Sequence, residues 1–180
     1  GFKGSWLSFW LHKLGAKVIG VALEPPTNPS HFKVANLERF VDHHRLDILE
    51  FDALSRLVAT VQPDFVFHLA AQALVGRSYK APIQTYQTNA IGTVNLLESL
   101  RTLSKNCVAI LVTSDKVYEN REWVWGYRET DPLGGLDPYS ASKGAAELFI
   151  RAQLKSFFPT DGNIRIGVGR AGNVIGGGDW

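Results

Sequence analysis

Short apolar runs rich in branched residues recur between segments of helical period, and this alternation most constrains the fold. Lys17–Leu23 (KVIGVAL), Phe65–Leu69 (FVFHL), Val108–Thr113 (VAILVT) and Ile164–Val168 carry little polar alternation. That is the pattern of strands buried in a parallel sheet with both faces covered. Between them, residues 4–14 place Trp6, Leu7, Trp10, Leu11 and Leu14 at helical spacing, with Gly15 as the stop. Asp52–Val61 reads as a helix capped by Asp52, Pro82 to about Ser104 as a long helix bent near Gly92, and Tyr139–Phe158 as a third. Residues 31–42 give a weaker helical signal, Pro25, Pro26 and Pro29 force a loop, and 119–137 form a long irregular loop. The expectation is an α/β fold, a doubly wound parallel sheet, with ligands at the carboxyl ends of the strands.

Composition narrows the class. The 180 residues are 45% hydrophobic and 20% charged with a net charge of +2, which fits a globular domain and excludes a disordered chain. A charge this small gives no footprint for nucleic acid. One cysteine, Cys107, excludes a disulfide framework or a cysteine-rich zinc site, and His43-His44 has no third ligand at metal spacing, so no metal is expected. No apolar run approaches the roughly 18 residues of a membrane span, and no leader pattern opens the chain, which points to a cytoplasmic protein without membrane contact. There is no methionine, the chain opens on Gly1-Phe2-Lys3-Gly4 without a strand before it, and it closes on Gly176-Gly177-Gly178-Asp179-Trp180. These ends read as an interior piece of a longer protein: residues 1–180 as one Rossmann-like domain, truncated at both ends, without its first strand and a carboxy-terminal substrate domain.

Two motifs carry chemistry. Gly1-x-x-Gly4 opening a helix matches the second half of a dinucleotide-binding turn, whose backbone N–H groups hold a pyrophosphate; an ordinary capped helix is the other reading. Glu24, about twenty residues on, fits an acid that binds ribose hydroxyls, and the absence of an adjoining Arg or Lys in sequence favours NAD over NADP. In Pro138-Tyr-Ser-Ala-Ser-Lys143 the phenol of Tyr139 and the ammonium of Lys143 share one helix face. A cation about 4 Å away at an effective dielectric near 20 favours the phenolate by roughly 4 kcal/mol. That makes Tyr139 a base able to take a proton from a sugar hydroxyl. His68 reads as a core histidine and Cys107 as packing, while Trp123 and Trp125 either cover a sugar or fill their loop.

Together, Gly1-x-x-Gly4, Leu69-Ala70-Ala71-Gln72, Asn89-x-x-Gly92-Thr93, Ser114-Asp115-Lys116-Val117-Tyr118 and Tyr139-x-x-x-Lys143 resemble the extended short-chain dehydrogenase/reductase superfamily. Gly1–Trp6, Leu23–Thr27, Thr113–Gly126 and Arg170–Trp180 are similar to its NAD-dependent dehydratases acting on the sugar nucleotide CDP-glucose. The resemblance implies conversion of CDP-glucose to the 4-keto-6-deoxy product. Tyr139 would be the C4 base, Lys143 would lower its pKa and hold the nicotinamide ribose, and Ser114 would bond the C4 oxygen. Asp115 would protonate the departing C6 hydroxyl, which requires removing it from water. Lys116 stands where the C5 proton is handled, as a depressed amine or as a charge stabilising an enolate. Cofactor contacts would come from Gly1, Phe2, Lys3, Gly4, Glu24, Asp47, Ile48, Leu69, Ala70, Ala71 and Thr88 or Asn89, as well as Tyr139 and Lys143. Gln72, Arg170 and Asn173 would meet substrate. Many relatives have an acid where this chain has Ala22, which implies loosely held NAD. By analogy, subunits pair through the helices near 82–104 and 139–158 as a homodimer or higher oligomer. Two alternatives share the fold. A sugar-nucleotide 4-epimerase would not need Asp115-Lys116, and a non-catalytic NAD-binding module would not need both Tyr139 and Lys143.

Overall fold

Every strand pairing among the named strands is parallel, yet the strands form two sheets rather than one. The computed structural model describes residues 1–179; Trp180, the end of one stretch that carries the resemblance, lies outside them. The chain divides into a unit formed by Gly1–Asp47 with the segment from Asn173, and a unit spanning Ile48–Gly172.

In the first unit, helix α1 (Phe2–Lys13) starts directly after Gly1, and β1 (Val18–Ala22) follows. The expected helix over 31–42 is only a four-residue helix, α2 (His31–Val34), capped by the Ser30 hydroxyl. A left-handed Asn36 (φ 52°) and a single 3-10 turn lead into a strand that the sequence reading missed, β2 (Val41–Arg45). Its sequence, VDHHR, has no apolar run. It is a strand because its backbone pairs with β1 from Val18↔Val41 to Ala22↔Arg45. Leu37 and Val41 form the core here. His43 is not a plain surface residue, since its ring lies 4.9 Å from that of Phe32. The tryptophan face of α1 does not point inward: Trp6, Trp10 and Leu14 are exposed, and Ser5 is the buried residue.

The second unit contains β3 (Phe65–His68), β4 (Cys107–Val112) and β5 (Ile164–Gly169) in the order β3-β4-β5. Helix α3 (Phe51–Val61) starts after Glu50, so Asp52 stands in the first turn rather than at the cap, where its charge still favours the helix dipole. After β3 comes a short helix absent from the sequence reading, α4 (Val75–Lys80). The expected long helix follows as α5 (Pro82–Tyr86), a π-helical turn over Gln87–Ile91 and α6 (Gly92–Leu100). The bend foreseen near Gly92 is this π turn. A Cβ on Gly92 would stand 2.4 Å from Ile48 Cδ1, so the helix approaches Ile48 as closely as it does only with glycine there.

One face of the sheet is closed and the other open. Cys107, Ala109 and Leu111 of β4 are buried against a core that includes Leu97, Leu100 and Ile150. Phe65, Phe67 and Val108, on the opposite face by register, are exposed, so the expected covering of both faces holds for only one. The buried His68 lies on the closed face. Thr93 Oγ donates its only proton to Asn89 O at 2.7 Å, so it accepts at 3.0 Å from a protonated His68 Nε2.

Burial, with the field of Lys143 adding, pushes the His68 imidazole down to about 4 from 6.5. The unfolded chain therefore binds the proton that the folded chain refuses, and stability falls as the pH drops from 6.5 to about 4. The loss is at most roughly 3 kcal/mol at about 1.4 kcal/mol per pKa unit. In urea-denaturation midpoints measured across that interval, His68→Gln gives a flatter dependence than the wild type.

Candidate active site

Asp137 sets the start of the helix that carries the reactive pair. Its Oδ1 accepts from Tyr139 N (2.9 Å) and Ser140 N (3.0 Å), and its Oδ2 accepts from Ser140 Oγ (2.5 Å). With Pro138 in the first turn, this fixes the start of α7 (Pro138–Phe157). Hydrogen bonds from Ser140 and from the Ser140 and Tyr139 amides, with the field of Lys116, outweigh burial and hold the Asp137 carboxyl below its ordinary range. One face of α7 then carries Tyr139, Lys143, Glu147 and Ile150. The last three are buried, Lys143 at 7% exposure.

Opposite lies the end of β4. Ser114 is buried, and its hydroxyl caps a 3-10 turn over Asp115–Val117 by accepting from Lys116 N at 3.2 Å while donating to Asp115 Oδ1 at 3.1 Å. Ser114 is also the neighbour whose side chain favours the ionised form of the Tyr139 phenol. Asp115 N donates to Ala171 O at 3.1 Å, which ties the turn to the segment after β5. Ser114 and Tyr139 thus meet as the motifs required. Asp115 and Lys116 are exposed, so the described residues do not supply the dry surroundings that an acid role for Asp115 calls for.

The phenol itself departs from expectation. Burial, together with Asp115 and Asp137, pushes Tyr139 above its ordinary value, and the Ser114 hydrogen bond only partly opposes this. Sequence pointed to the charge of Lys143, with that of an oxidised nicotinamide adding to it; the structure adds desolvation and two carboxylates.

Three predicted ligand contacts are occupied within the chain. Asn89 is 2% exposed; its Oδ1 accepts from Gln72 N (2.8 Å), and its Nδ2 donates to Gln72 O (3.0 Å) and Ser142 Oγ (2.8 Å). Ser142 Oγ in turn donates to Tyr139 O. Both amide protons of Asn89 are therefore used to join the segment after β3 to α7, and none is left for a cofactor. Gln72 gives Nε2 to Leu74 O and Thr85 Oγ and accepts from Leu74 N, so it shapes its own turn instead of reaching substrate. Arg170, expected at a diphosphate, donates through Nε (2.7 Å) and Nη2 (2.5 Å) to Glu147 and through Nη1 (3.2 Å) to Glu129 O. Neither Glu147 nor Thr113, which donates to Glu147 Oε1 at 2.8 Å, entered the sequence reading. The available signal was the continued spacing of four in Tyr139, Lys143, Glu147.

The remaining cofactor candidates divide between the units. In the first, Gly1 precedes α1 without a side-chain cap, and a Cβ on Gly1 or Gly4 would have no neighbour within 4 Å. Phe2 and Lys3 are half-buried in that first turn. This bare helix start with room above its glycines fits the pyrophosphate of a dinucleotide. Glu24 stands two residues past β1, but it is not free of basic neighbours: Arg45, at the end of β2, pairs with it at 2.5 Å. That arginine was invisible as a neighbour while β2 was unrecognised. Asp47 is half-buried and Asn173 is exposed. In the second unit Leu69, Ala70 and Ala71 follow β3 and are half-buried, as is Thr88, whereas Ile48 is buried, with its O accepting from Asn95 and its side chain under Gly92.

A model of the family described as GDP-mannose 4,6 dehydratase matches residues 1–158. The chain belongs to this family. Its dehydratase relatives include the CDP-glucose 4,6-dehydratase of Salmonella typhimurium, 53% identical over all of this chain and 51% of that protein. The dTDP-glucose 4,6-dehydratase 1 of Escherichia coli is 33% identical over 69% of this chain and 39% of that protein. Among solved structures, the UDP-glucose 4-epimerase of Thermotoga maritima, with UDP-glucose, superposes with a TM-score of 0.80 at 27% identity over 94% of this chain and 52% of that one. The UDP-glucuronic acid 4-epimerase of Bacillus cereus, in complex with UDP-glucuronic acid and NAD, gives 0.76 at 28% identity over 94% and 53%. These family members establish the Rossmann-like fold, and the chain spans about half the length of the curated relatives it matches.

The loop of 119–137 is part of the same framework. Gly134 N donates to Val117 O (2.8 Å), and Tyr118 stacks on Tyr127 at 4.9 Å, with the half-buried Trp123 beside it at 5.3 Å and Trp125 exposed. Trp123 therefore packs within its loop. A Cβ on Gly135 would stand 2.4 Å from Ala141 N, inside the backbone of α7. Gly135→Ala is expected to lower stability by about 2 kcal/mol, whereas Gly126→Ala, with open space around its Cβ, stays within about 0.5 kcal/mol. Urea-denaturation midpoints of the two variants separate these outcomes.

Proposed function

We propose that the protein to which this chain belongs is an NAD-dependent lyase, a CDP-glucose 4,6-dehydratase, and that residues 1–180 are the dinucleotide-binding part of it. The observation that carries the reading is the meeting of Tyr139 with Ser114 immediately before Asp115-Lys116. The 53% identity to the Salmonella enzyme over the whole chain supports the same choice.

The residues would act in sequence. Tyr139, as phenolate, takes the proton of the C4 hydroxyl while Ser114 hydrogen-bonds the C4 oxygen. The C4 ketone so formed acidifies the C5 proton, which passes to the neutral amine of Lys116, or to water while the Lys116 ammonium stabilises the enolate. Asp115 gives a proton to the C6 hydroxyl, which departs as water, leaving a C5–C6 double bond. NAD, when bound, supplies the two-electron oxidant for C4 and returns the same electrons at C6. With reprotonation at C5 the net change is loss of one water. The cofactor would lie against the uncapped start of α1 at Gly1, Phe2, Lys3 and Gly4, with Glu24 and Asp47 toward the adenosine and Leu69, Ala70 and Ala71 at the end of β3. Lys143 would hold the nicotinamide ribose, and its charge with that of the oxidised ring would offset the burial that now raises the phenol. Asn173 would face substrate. The buried Asn89, Gln72 and Arg170 would hold the frame.

Ile91, Phe149 and Phe157 present exposed apolar side chains on α6, its preceding turn and α7, the helices through which a homodimer is expected. Among the described residues no helix is long and apolar enough to cross a membrane.

The test uses the full-length protein with CDP-glucose and added NAD. The dehydratase gives a 4-ketone absorbing in base, whereas a galactose product without ketone would install the 4-epimerase in its place. Tyr139→Phe is expected to lower turnover by 10²–10⁴-fold or more, in the range of acid–base catalysis. Asp115→Asn is expected to oxidise C4 yet stall before water loss, so that absorbance at the reduced-nicotinamide band accumulates; normal turnover would remove Asp115 from the acid role. Because Arg45 is held by Glu24, Glu24→Gln is expected to strengthen NADP binding relative to NAD by about tenfold, as read by direct titration.

A further inference from the structure

Of the buried ionisable groups in this chain, Glu147 is the one that no step of the reaction uses and that touches the most segments of the site. It is 3% exposed, in the middle of α7. Its Oε1 accepts from Thr113 Oγ (2.8 Å) and Arg170 Nε (2.7 Å), and its Oε2 accepts from Arg170 Nη2 (2.5 Å). Arg151, one turn on, approaches Oε2 at 4.0 Å from the surface. Thr113 immediately precedes Ser114. Arg170 immediately follows β5, between two backbone bonds that join this edge to β4, Thr113 N to Gly169 O and Asp115 N to Ala171 O. The guanidinium also lies 4.7 Å from the Tyr118 ring and donates to Glu129 O, so it reaches both the chain after Asp115-Lys116 and the long loop.

We infer that Glu147 is a positioning residue: through Thr113 and Arg170 its carboxylate fixes the distance between Ser114, just after β4, and Tyr139 on α7. The reason is geometric. Tyr139 and Glu147 are eight residues apart on one rigid helix, about 12 Å along its axis. Thr113 and Ser114 are consecutive residues immediately after β4. Two contacts relate these elements, the approach of Ser114 to the Tyr139 phenol and the Glu147–Thr113–Arg170 cluster. The first lies at the reacting groups and is free to change during the reaction. The second is bidentate, charge-assisted and shielded from water, so it is the stiffer of the two. Removing one member leaves a buried charge without its partner, and the helix and strand then relax where the reacting groups meet. Ser114 is the neighbour that favours the phenolate, so its withdrawal makes Tyr139 a weaker acid.

The inference rests on the reading of Tyr139 and Ser114 as the reacting pair, and its test is made in the full-length enzyme with CDP-glucose. Glu147→Gln keeps the size and one acceptor but sets an amide N–H against Arg170. Thr113→Val keeps the ion pair and removes only the strand-side bond. Ile150→Val, a buried change on the same helix, is the control for lost stability alone. Glu147→Gln is expected to lower kcat at least tenfold with KM within threefold, and to move the acidic limb of the kcat–pH profile upward. Thr113→Val is expected to move both in the same direction by a smaller factor, about threefold in kcat. Ile150→Val is expected to lower the melting temperature while leaving kcat and the pH limb in place. If Glu147→Gln and Thr113→Val lower only the melting temperature, or if Ile150→Val shifts the limb equally, the positioning role is overturned. A wild-type enzyme that forms no 4-ketone would instead overturn the dehydratase reading, and the pH limb of whatever oxidation remains would still test the tie.

Discussion

The arrangement of this chain depends on a single buried face of α7 and on what that face is fastened to. Lys143, Glu147 and Ile150 all turn away from water there, and a charged group so placed is tolerated only when paired. Hydrogen bonds from Arg170 and Thr113 outweigh the burial of Glu147 and hold its carboxyl below the ordinary range, while Glu147 raises the Arg170 guanidinium in turn. The stability from this pair is complete above the ordinary carboxylate range and is lost as the pH falls through the depressed value. A helix held in this way brings Tyr139 to Ser114 because the rest of its length has no freedom to slide.

The polar network around this helix shows how few side chains in the site are spare. Asn89 joins the turn after β3 to Ser142, and Ser142 bonds the carbonyl of Tyr139 itself. Asp137 holds the first amides of α7 from the other side. Tyr139 is thereby fixed by its backbone at both flanks, while its phenol meets Ser114. The exposed pair Asp115-Lys116 stands at the rim of this rigid frame. This division suits the proposed reaction, in which the C4 step depends on fixed distances and the elimination at C5 and C6 on charged groups that reach a substrate.

The sequence was most legible where residues act by local rules. Pro138 before Tyr139, four-residue spacing to Lys143, and apolar β3, β4 and β5 all appear as expected. It was least legible where a partner distant in the chain decides. VDHHR is a strand only because β1 lies beside it. Arg45 became the neighbour of Glu24 only through that pairing. Asn89, Gln72 and Arg170 are polar residues at strand ends, which suggests ligand contact, and nothing in their order along the chain reveals that buried partners already occupy them.

What the amino-acid sequence determined by itself is the class of fold, the helix that carries Tyr139 and Lys143, and the acid and base types gathered after β4. Those follow from periodicity, caps and side-chain chemistry, which act over a few residues. Only the tertiary structure decided which polar groups remain available to a ligand and in which direction the phenol is shifted. Both depend on burial and on charges brought together from distant segments, and desolvation is a property of the packed surroundings that no stretch of chain carries alone.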